Sequence, residues 1–382
     1  MFNLTYVGEF DFNRKTASTE RIINNCKAIK ASNNFKVNII GYSDVPSFIV
    51  DKLPIFNVKR GKHKASKLFY YLLRSFYIIR LLNKTNKEHD IIIYYGTSAR
   101  ILFPLLVYCK INKTRLIADI VEWYDYSHLP LGKYGPIALE NHLCLTKLVP
   151  KCDGVIAISS YLEKYFSNRS VKTMRVPILV DTRHECEETT ETPKFNQKYL
   201  NLIYAGYPGK KDLVANIISA VEQLNCDHML INLHLLGLTG IQVQDLIHNT
   251  ISDAIICYGK VSQNDVPKYL KQADFSILLR PDKRYAHAGF PTKFVESLNA
   301  GLPVIANYTS DLALYLIDGY NGFVVEDFST EALISKMKSI LSIEKVKFSQ
   351  LKVNAYCTAV ENFDYRLYTN NLGNFITQIQ KM

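Results

Sequence analysis

Short apolar runs alternate with helix-spaced segments along the chain, and the alternation restarts once, near residue 200. In the first half, Leu4–Val7 is strand-like and ends at Gly8. After a polar loop, Ser18 or Thr19 can cap a helix that places Ile22, Ile23, Cys26 and Ile29 at helical spacing. Val37–Gly41, Ile91–Tyr95, Leu116–Val121 and Gly154–Ile158 follow as short runs that are apolar on both faces. Such runs, separated by helical segments, predict a parallel sheet covered on both sides. The stretch from Asp181 to Pro193 is acidic, rich in Thr, and reads as a linker. Beyond it come Leu202–Ala205, a Gly/Pro/Lys loop, a helix around Leu213–Leu224, and the runs Asn232–Leu236, Ala254–Tyr258, Phe275–Leu279 and Pro303–Ala306. The pattern predicts an α/β chain of two doubly wound, Rossmann-like modules, with ligands beyond the carboxyl ends of the strands, in a cleft between the modules. The expected boundaries are 1–185, 195–355 and a tail 356–382, in which Tyr356–Ile379 reads as one helical stretch packing back across the domains.

Composition changes this picture little. A length of 382 residues suits two domains, and 48% hydrophobic with 21% charged residues is ordinary for globular cores. No apolar run reaches the roughly 18–20 residues of a membrane span. Ile101–Tyr108 is short, and Leu68–Leu82 is interrupted by Arg74 and Arg80. The opening MFNLTYVGEF lacks the pattern of a signal peptide, so a cytoplasmic protein is expected. Eight cysteines (26, 109, 144, 152, 186, 226, 257, 357) form no C-x-x-C pair and read as reduced, mostly buried thiols.

Charge is more informative. The net charge is +11, and nine bases with no acid lie between Lys59 and Lys87. Within Leu68–Leu82, Phe69, Tyr70, Tyr71, Phe76 and Tyr77 interleave with Arg74 and Arg80. Such a helix can lie on an anionic membrane, or be a solvated face packed on its own domain. No nucleic-acid module is recognised, so nucleic acid is not an expected partner.

Ala288–Asn307 (AGFPTKFVESLNAGLPVIAN) concentrates the chemistry. A Gly-x-Pro loop leads into a helix with Glu296 on its first turns, and Gly301-Leu302-Pro303 ends that helix before a buried strand. Backbone N–H groups at a helix start suit a phosphate, and glycine lets the phosphate approach. Glu296 can accept both hydroxyls of a ribose, and Lys293 can add positive charge beside a diphosphate. A capped core helix with a solvated glutamate is the alternative. Asp119 and Glu122, in the segment ADIVEWYD, are candidates for a sugar site or for a helix cap. Gly8 after the first strand is a weak signal, and there is neither a G-x-G-x-x-G nor a P-loop pattern.

The 288–307 segment resembles the E-x7-E region of glycosyltransferase family 4, in particular the bacterial polysaccharide (capsule and O-antigen) subgroup with its GxPxKxxE and aGxPVIa elements. The resemblance extends over Cys152–Ser160, Val176–Asp181, Tyr204–Asp212, Tyr258–Ser262 and Tyr269–Phe275. It implies a GT-B fold with two Rossmann-like domains facing across a cleft. It also implies a retaining transferase moving a hexosyl unit, UDP- or GDP-linked, to a lipid-linked glycan at the inner face of the cytoplasmic membrane. The implied donor site comprises Gly8, Gly206, Lys210, Lys211, Arg280, Gly289, Phe290, Pro291, Thr292, Lys293 and Glu296, with Lys210, Lys293 and Glu122 in catalysis. The first glutamate of the motif, placed near the transferred sugar in the family, is Ala288 here, so this chain departs from the pattern at that position. No D-x-D or ligand-spaced cluster is present, so neither a metal nor a cofactor is expected. The rival readings are a nucleotide-sugar epimerase of the same fold and an inactive sugar-nucleotide-binding scaffold.

Overall fold

The computed structural model describes residues 1–12, 16–43, 47–58, 64–85, 89–183, 198–209, 211–228 and 230–382, with side chains in the helix 64–85 from residue 73 onward. Most of the acidic linker, Lys210, and much of the basic, aromatic stretch of 59–87 lie outside the described residues. The chain divides into two compact units, Met1–Leu179 with Tyr365–Met382, and Val180–Asp364.

The first unit runs β1 (Phe2–Gly8), α1 (Ala17–Ala31), β2 (Phe35–Tyr42), β3 (Phe48–Val50), β4 (Leu53–Val58), α2 (Lys64–Thr85), β5 (Ile91–Tyr95), α3 (Ala99–Asn112), β6 (Arg115–Ile120), α4 (Pro136–Leu143), β7 (Gly154–Ala157), α5 (Ser160–Ser167) and β8 (Thr173–Arg175). Its sheet has the order β3-β4-β2-β1-β5-β6-β7-β8, parallel except for the β3–β4 hairpin. The strands are buried on both faces, as their unbroken apolar runs require: Ile91–Tyr94 is sealed from water. α1 is capped two or three residues before the expected position. Thr16 is the N-cap, bonded to the Thr19 N–H, while the Thr19 hydroxyl accepts from the Thr16 N–H at 2.8 Å.

Asp119, at the end of β6, is wholly buried, and the sequence candidate for sugar binding is corrected here. Arg21 on α1 holds it, with Nη2 2.8 Å from Oδ1 and Nε 3.1 Å from Oδ2. Tyr6 donates its hydroxyl to the same carboxylate. The remaining Arg21 nitrogen donates to the carbonyls of Val176 and Pro177 at 3.0 and 2.8 Å. A carboxylate so enclosed ties α1, β1 and β6 together and has no face left for a ligand.

The second unit runs β9 (Leu200–Ala205), α6 (Val214–Leu224), β10 (Ile231–Leu236), α7 (Gly240–Ile247), β11 (Ile255–Gly259), α8 (Val266–Gln272), β12 (Phe275–Leu278), α9 (Arg284–Ala288), α10 (Thr292–Asn299), β13 (Val304–Asn307), β14 (Gly322–Val325), α11 (Thr330–Leu341) and α12 (Lys345–Phe363). Its sheet is wholly parallel, in the order β11-β10-β9-β12-β13-β14. Counted from β9 this is the 3-2-1-4-5-6 winding, whose topological switch lies between β9 and β12.

The stretch from 356 is two helices, not one. Asp364 is extended (φ −64°, ψ 128°), pairs with Val180 and accepts from the Thr182 hydroxyl, which ends α12. The last helix, α13 (Thr369–Gln380), packs in the first unit against α1, with Ile379 occupying the space over Gly154. Among the described residues no helix is long and apolar enough to cross a membrane.

The enclosure of Asp119 generates a first prediction. Asp119→Ala strands the buried Arg21 and should destabilise the protein by about 3–5 kcal/mol. The double variant Arg21→Met/Asp119→Leu should lose less than the sum of the two single changes, read as urea midpoints.

Candidate functional site

The loops beyond the carboxyl ends of β9, β12 and β13 build a charged cluster at the topological switch. Gly206 follows β9 at φ +120°, and a Cβ there would stand 2.9 Å from Lys293 Cε. Glycine therefore lets the Lys293 stem cross the loop. Gly237, at φ +96°, similarly admits the carbonyl carbon of Gly206, 2.8 Å from where its Cβ would be.

Asp212 is the centre of the cluster. Its Oδ2 accepts from Lys293 Nζ at 2.6 Å and from the Tyr204 hydroxyl at 2.6 Å, while Oδ1 accepts from Arg280 Nε at 2.8 Å. Lys293 Nζ also donates to the Tyr204 hydroxyl at 2.9 Å. Arg280, just past β12, is fixed by Asn307 at the end of β13. The Asn307 side chain accepts from the Arg280 N–H at 2.9 Å and donates to its carbonyl at 2.7 Å.

Burial alone would push the Asp212 carboxyl up. The Lys293 and Arg280 cations, with the bonds from Lys293 and Tyr204, outweigh burial and hold it at about 2. Burial lowers the Lys293 ammonium, and Asp212 opposes that effect only in part. Burial, and then the Asp212 charge, push the Tyr204 hydroxyl far up, so it remains a donor. Asp212 is 1% exposed, whereas the Arg280 and Lys293 side chains are 12% and 19% exposed. The Asp212 carboxylate lies between two cations, Lys293 also feels the Glu296 charge, and both cations reach water in part.

Lys293 is the second residue of α10, whose N-cap is Pro291 and whose first turn has no side-chain cap. Its first N–H groups can thus serve an anion beside the cationic cluster. Glu296 lies three residues beyond Lys293, one turn into the same helix, and is half-buried. Thr292 and Gly289 are half-buried at the head of the helix.

The other residues singled out in sequence are placed as follows. The Phe290 side chain packs among Phe294, Tyr315 and Phe363, so this residue anchors the loop in the core. Pro291 is also buried. Ala288 is fully buried. His287 is paired with the exposed Asp282. Lys211 is exposed in the loop after β9, where its carbonyl accepts from the Tyr285 hydroxyl at 3.3 Å; Lys210 lies outside the described residues. Gly8 and Glu122 belong to the first unit. A Cβ on Gly8 would stand 2.7 Å from the Tyr95 carbonyl oxygen, so glycine is needed where β1 and β5 end together. Glu122 bonds to the Tyr124 hydroxyl. Sequence reasoning missed Asp212 and Tyr204: both stood in the quoted segment Tyr204–Asp212 without a role. Among the described residues no group of three or more His, Cys, Asp or Glu is placed to hold a metal ion.

Residues 187–356, within the second unit, match the family model described as Glycosyl transferases group 1. An uncharacterized glycosyltransferase of Methanocaldococcus jannaschii is 26% identical over 227 residues, 56% of this chain and 56% of that protein. An uncharacterized 41.2 kDa protein in the cps region of Klebsiella pneumoniae is 22% identical over 202 residues, 50% of this chain and 53% of that one. The chain thus spans about half the length of the curated relatives it matches. Among solved structures, Anabaena HepE in complex with UDP and glucose superposes with a TM-score of 0.71 at 13% identity, over 99% of this chain and 100% of that one. That likeness shows the GT-B fold of two Rossmann-like domains. The family match itself falls wholly within the second unit.

The Asp212 carboxyl is held below its unfolded value, so its stabilisation is complete above ~pH 4 and is lost as the pH falls toward about 2. Asp212→Asn should therefore lower stability at neutral pH by about 3–5 kcal/mol, since two buried cations lose their partner. It should also flatten the loss between those pH values, as read from urea midpoints across the acid range.

Proposed function

We propose that the protein is a retaining glycosyltransferase that moves a hexosyl unit from a UDP- or GDP-linked sugar to a lipid-linked glycan in the synthesis of a bacterial surface polysaccharide. The observation that carries this reading is the pair of cations, Lys293 and Arg280, held by Asp212 beside the uncapped start of α10. Departure of a nucleoside diphosphate leaves negative charge on its terminal phosphate. Fixed cations and helix N–H groups oppose that charge without reorganising as the bond breaks. Glu296, one turn further along α10, takes the ribose hydroxyls, which couples the position of the nucleoside to that of the diphosphate. The loop after β9 adds Lys211, and we assign Lys210 to the same phosphates. The cps-region relative supports the surface-polysaccharide part of the reading, and the neighbour holding UDP and glucose supports a nucleotide-sugar donor. In this reading the cations balance the leaving charge and no metal is required.

Lys293→Ala should reduce turnover by about 10²–10³-fold, with donor affinity falling less than turnover. Glu296→Ala should chiefly weaken binding of the nucleoside diphosphate, read by calorimetry. Full turnover of Lys293→Ala, or a wild type that needs a divalent metal after treatment with a chelator, would overturn the assignment. Interconversion of the donor without any acceptor would favour an epimerase. A folded protein that binds the nucleoside diphosphate but turns over no donor would favour the inactive scaffold, and one that binds none at millimolar concentration would overturn the donor site itself.

A further inference from the structure

One face of the first unit combines exposed apolar side chains with a near absence of acids. On α3, Phe103, Val107 and Ile111 recur every fourth residue and form one exposed row. Arg100, one turn before Phe103, is ion-paired with Glu140 on α4, which brings the two helices side by side. Leu143, one turn beyond Glu140, is exposed as well. The turn before α4 raises two more apolar groups, Leu131 at 80% and Tyr134 at 76% exposure. Leu131 adopts φ +62°, a conformation that costs an L residue energy and that glycine adopts freely. The Pro130 carbonyl oxygen stands 2.2 Å from where a Cβ of Gly135 would be, so the turn closes tightly and holds Leu131 outward. Strain is thus spent on presenting a leucine to water.

The charge around this face is mainly positive, with Asp125 held at the preceding turn beside His128. There is no Asp or Glu between Ile91 and Ala118, and the only one between Tyr126 and Cys152 is Glu140, which is occupied by Arg100. Lys110, Lys113, Lys133 and Lys147 are exposed on the same elements. α2 lies alongside, with the Tyr108 hydroxyl donating to Asn83 Oδ1 at 3.0 Å next to exposed Lys84. An apolar ridge with a basic rim matches the boundary between acyl chains and anionic headgroups. A neutral protein partner would leave the basic rim unmatched.

We propose that this face seats on an anionic lipid surface, with Phe103, Val107, Ile111 and Leu131 below the headgroups and the lysines among the phosphates. The anchor is then α3 and the turn before α4, beyond the basic 59–87 stretch that the sequence suggested. The inference stands on the surface of this unit alone and does not depend on the transferase reading.

The test is co-sedimentation of the full-length protein with vesicles of phosphatidylcholine, pure or doped with phosphatidylglycerol. Binding should require the anionic lipid and weaken as salt is raised. Phe103→Ser/Ile111→Ser should reduce partitioning by at least about tenfold, and Lys110→Gln/Lys133→Gln by about tenfold or more. Leu131→Gly should weaken partitioning while the melting temperature stays at or above that of the wild type, which separates loss of an anchor from loss of fold. Absence of wild-type binding to doped vesicles, or variants that bind as the wild type does, would overturn the proposal. A wild-type dimer that Ile111→Ser dissolves would show that a second copy covers this face, and would overturn it equally.

Discussion

A carboxylate removed from water must be met by cations, and the candidate site is organised around one such carboxylate, Asp212. Its oxygens receive Lys293, Arg280 and Tyr204, which come from α10, from the end of β12 and from β9. Two cations this close repel each other, and without the carboxylate between them neither would keep its place. The first unit meets the same constraint at Asp119 with a different outcome. Arg21 and Tyr6 enclose that carboxylate, and the peptide carbonyls of Val176 and Pro177 take the rest of the guanidinium. One positive charge balances one negative charge in a sealed place. At Asp212 a second cation is added and both cations keep an edge in water. The second cation and the partial exposure distinguish this place from one that only ties elements together.

The winding of the sheet explains why these groups can meet. With strands in the order 3-2-1-4-5-6, the connections leaving β9 and β12 turn to opposite faces, and the chain ends between them are open. Asp212 arrives on the first of these connections and Arg280 on the second. Asn307, on β13, braces the Arg280 backbone with paired amide bonds. The glycines have a separate task. Without a side chain at Gly206 the Lys293 stem passes within contact distance of the loop, so the ammonium reaches Asp212 from a helix that starts elsewhere in the sequence. The same economy of space holds the β1 and β5 ends together at Gly8.

Much of this architecture was legible in the sequence because parallel strands carry their signal locally. Runs such as IIIYY and GVIAI are apolar on both faces and flanked by helix-spaced segments, and each lies where a strand is found. The 288–307 segment was legible for the same reason, since a Gly-x-Pro loop, a helix and a strand follow one another within twenty positions. The features that were not legible depend on distant partners. Thr16 takes the capping role from Ser18 and Thr19 through one reciprocal pair of bonds. Nothing near Asp364 marks a helix end until Val180 and Thr182 are beside it. Asp119 has the composition of a ligand contact and becomes a structural ion only through Arg21, 98 positions away. Asp212, 81 positions from Lys293, gave no local sign of its place.

The buried methyl of Ala288 adds a last constraint on the chemistry. A carboxylate at that position would stand at the end of α9, one residue before the loop into α10, and would add to the negative charge that Asp212 and Glu296 already bring to Lys293. With alanine there, the side chain sits in the core with nothing to offer a sugar hydroxyl. In the proposed reading, recognition of the transferred sugar rests on groups other than residue 288, while α10 supplies the diphosphate and ribose contacts. In that reading the nucleotide meets fixed charge and helix geometry around Asp212, and the sugar meets other side chains.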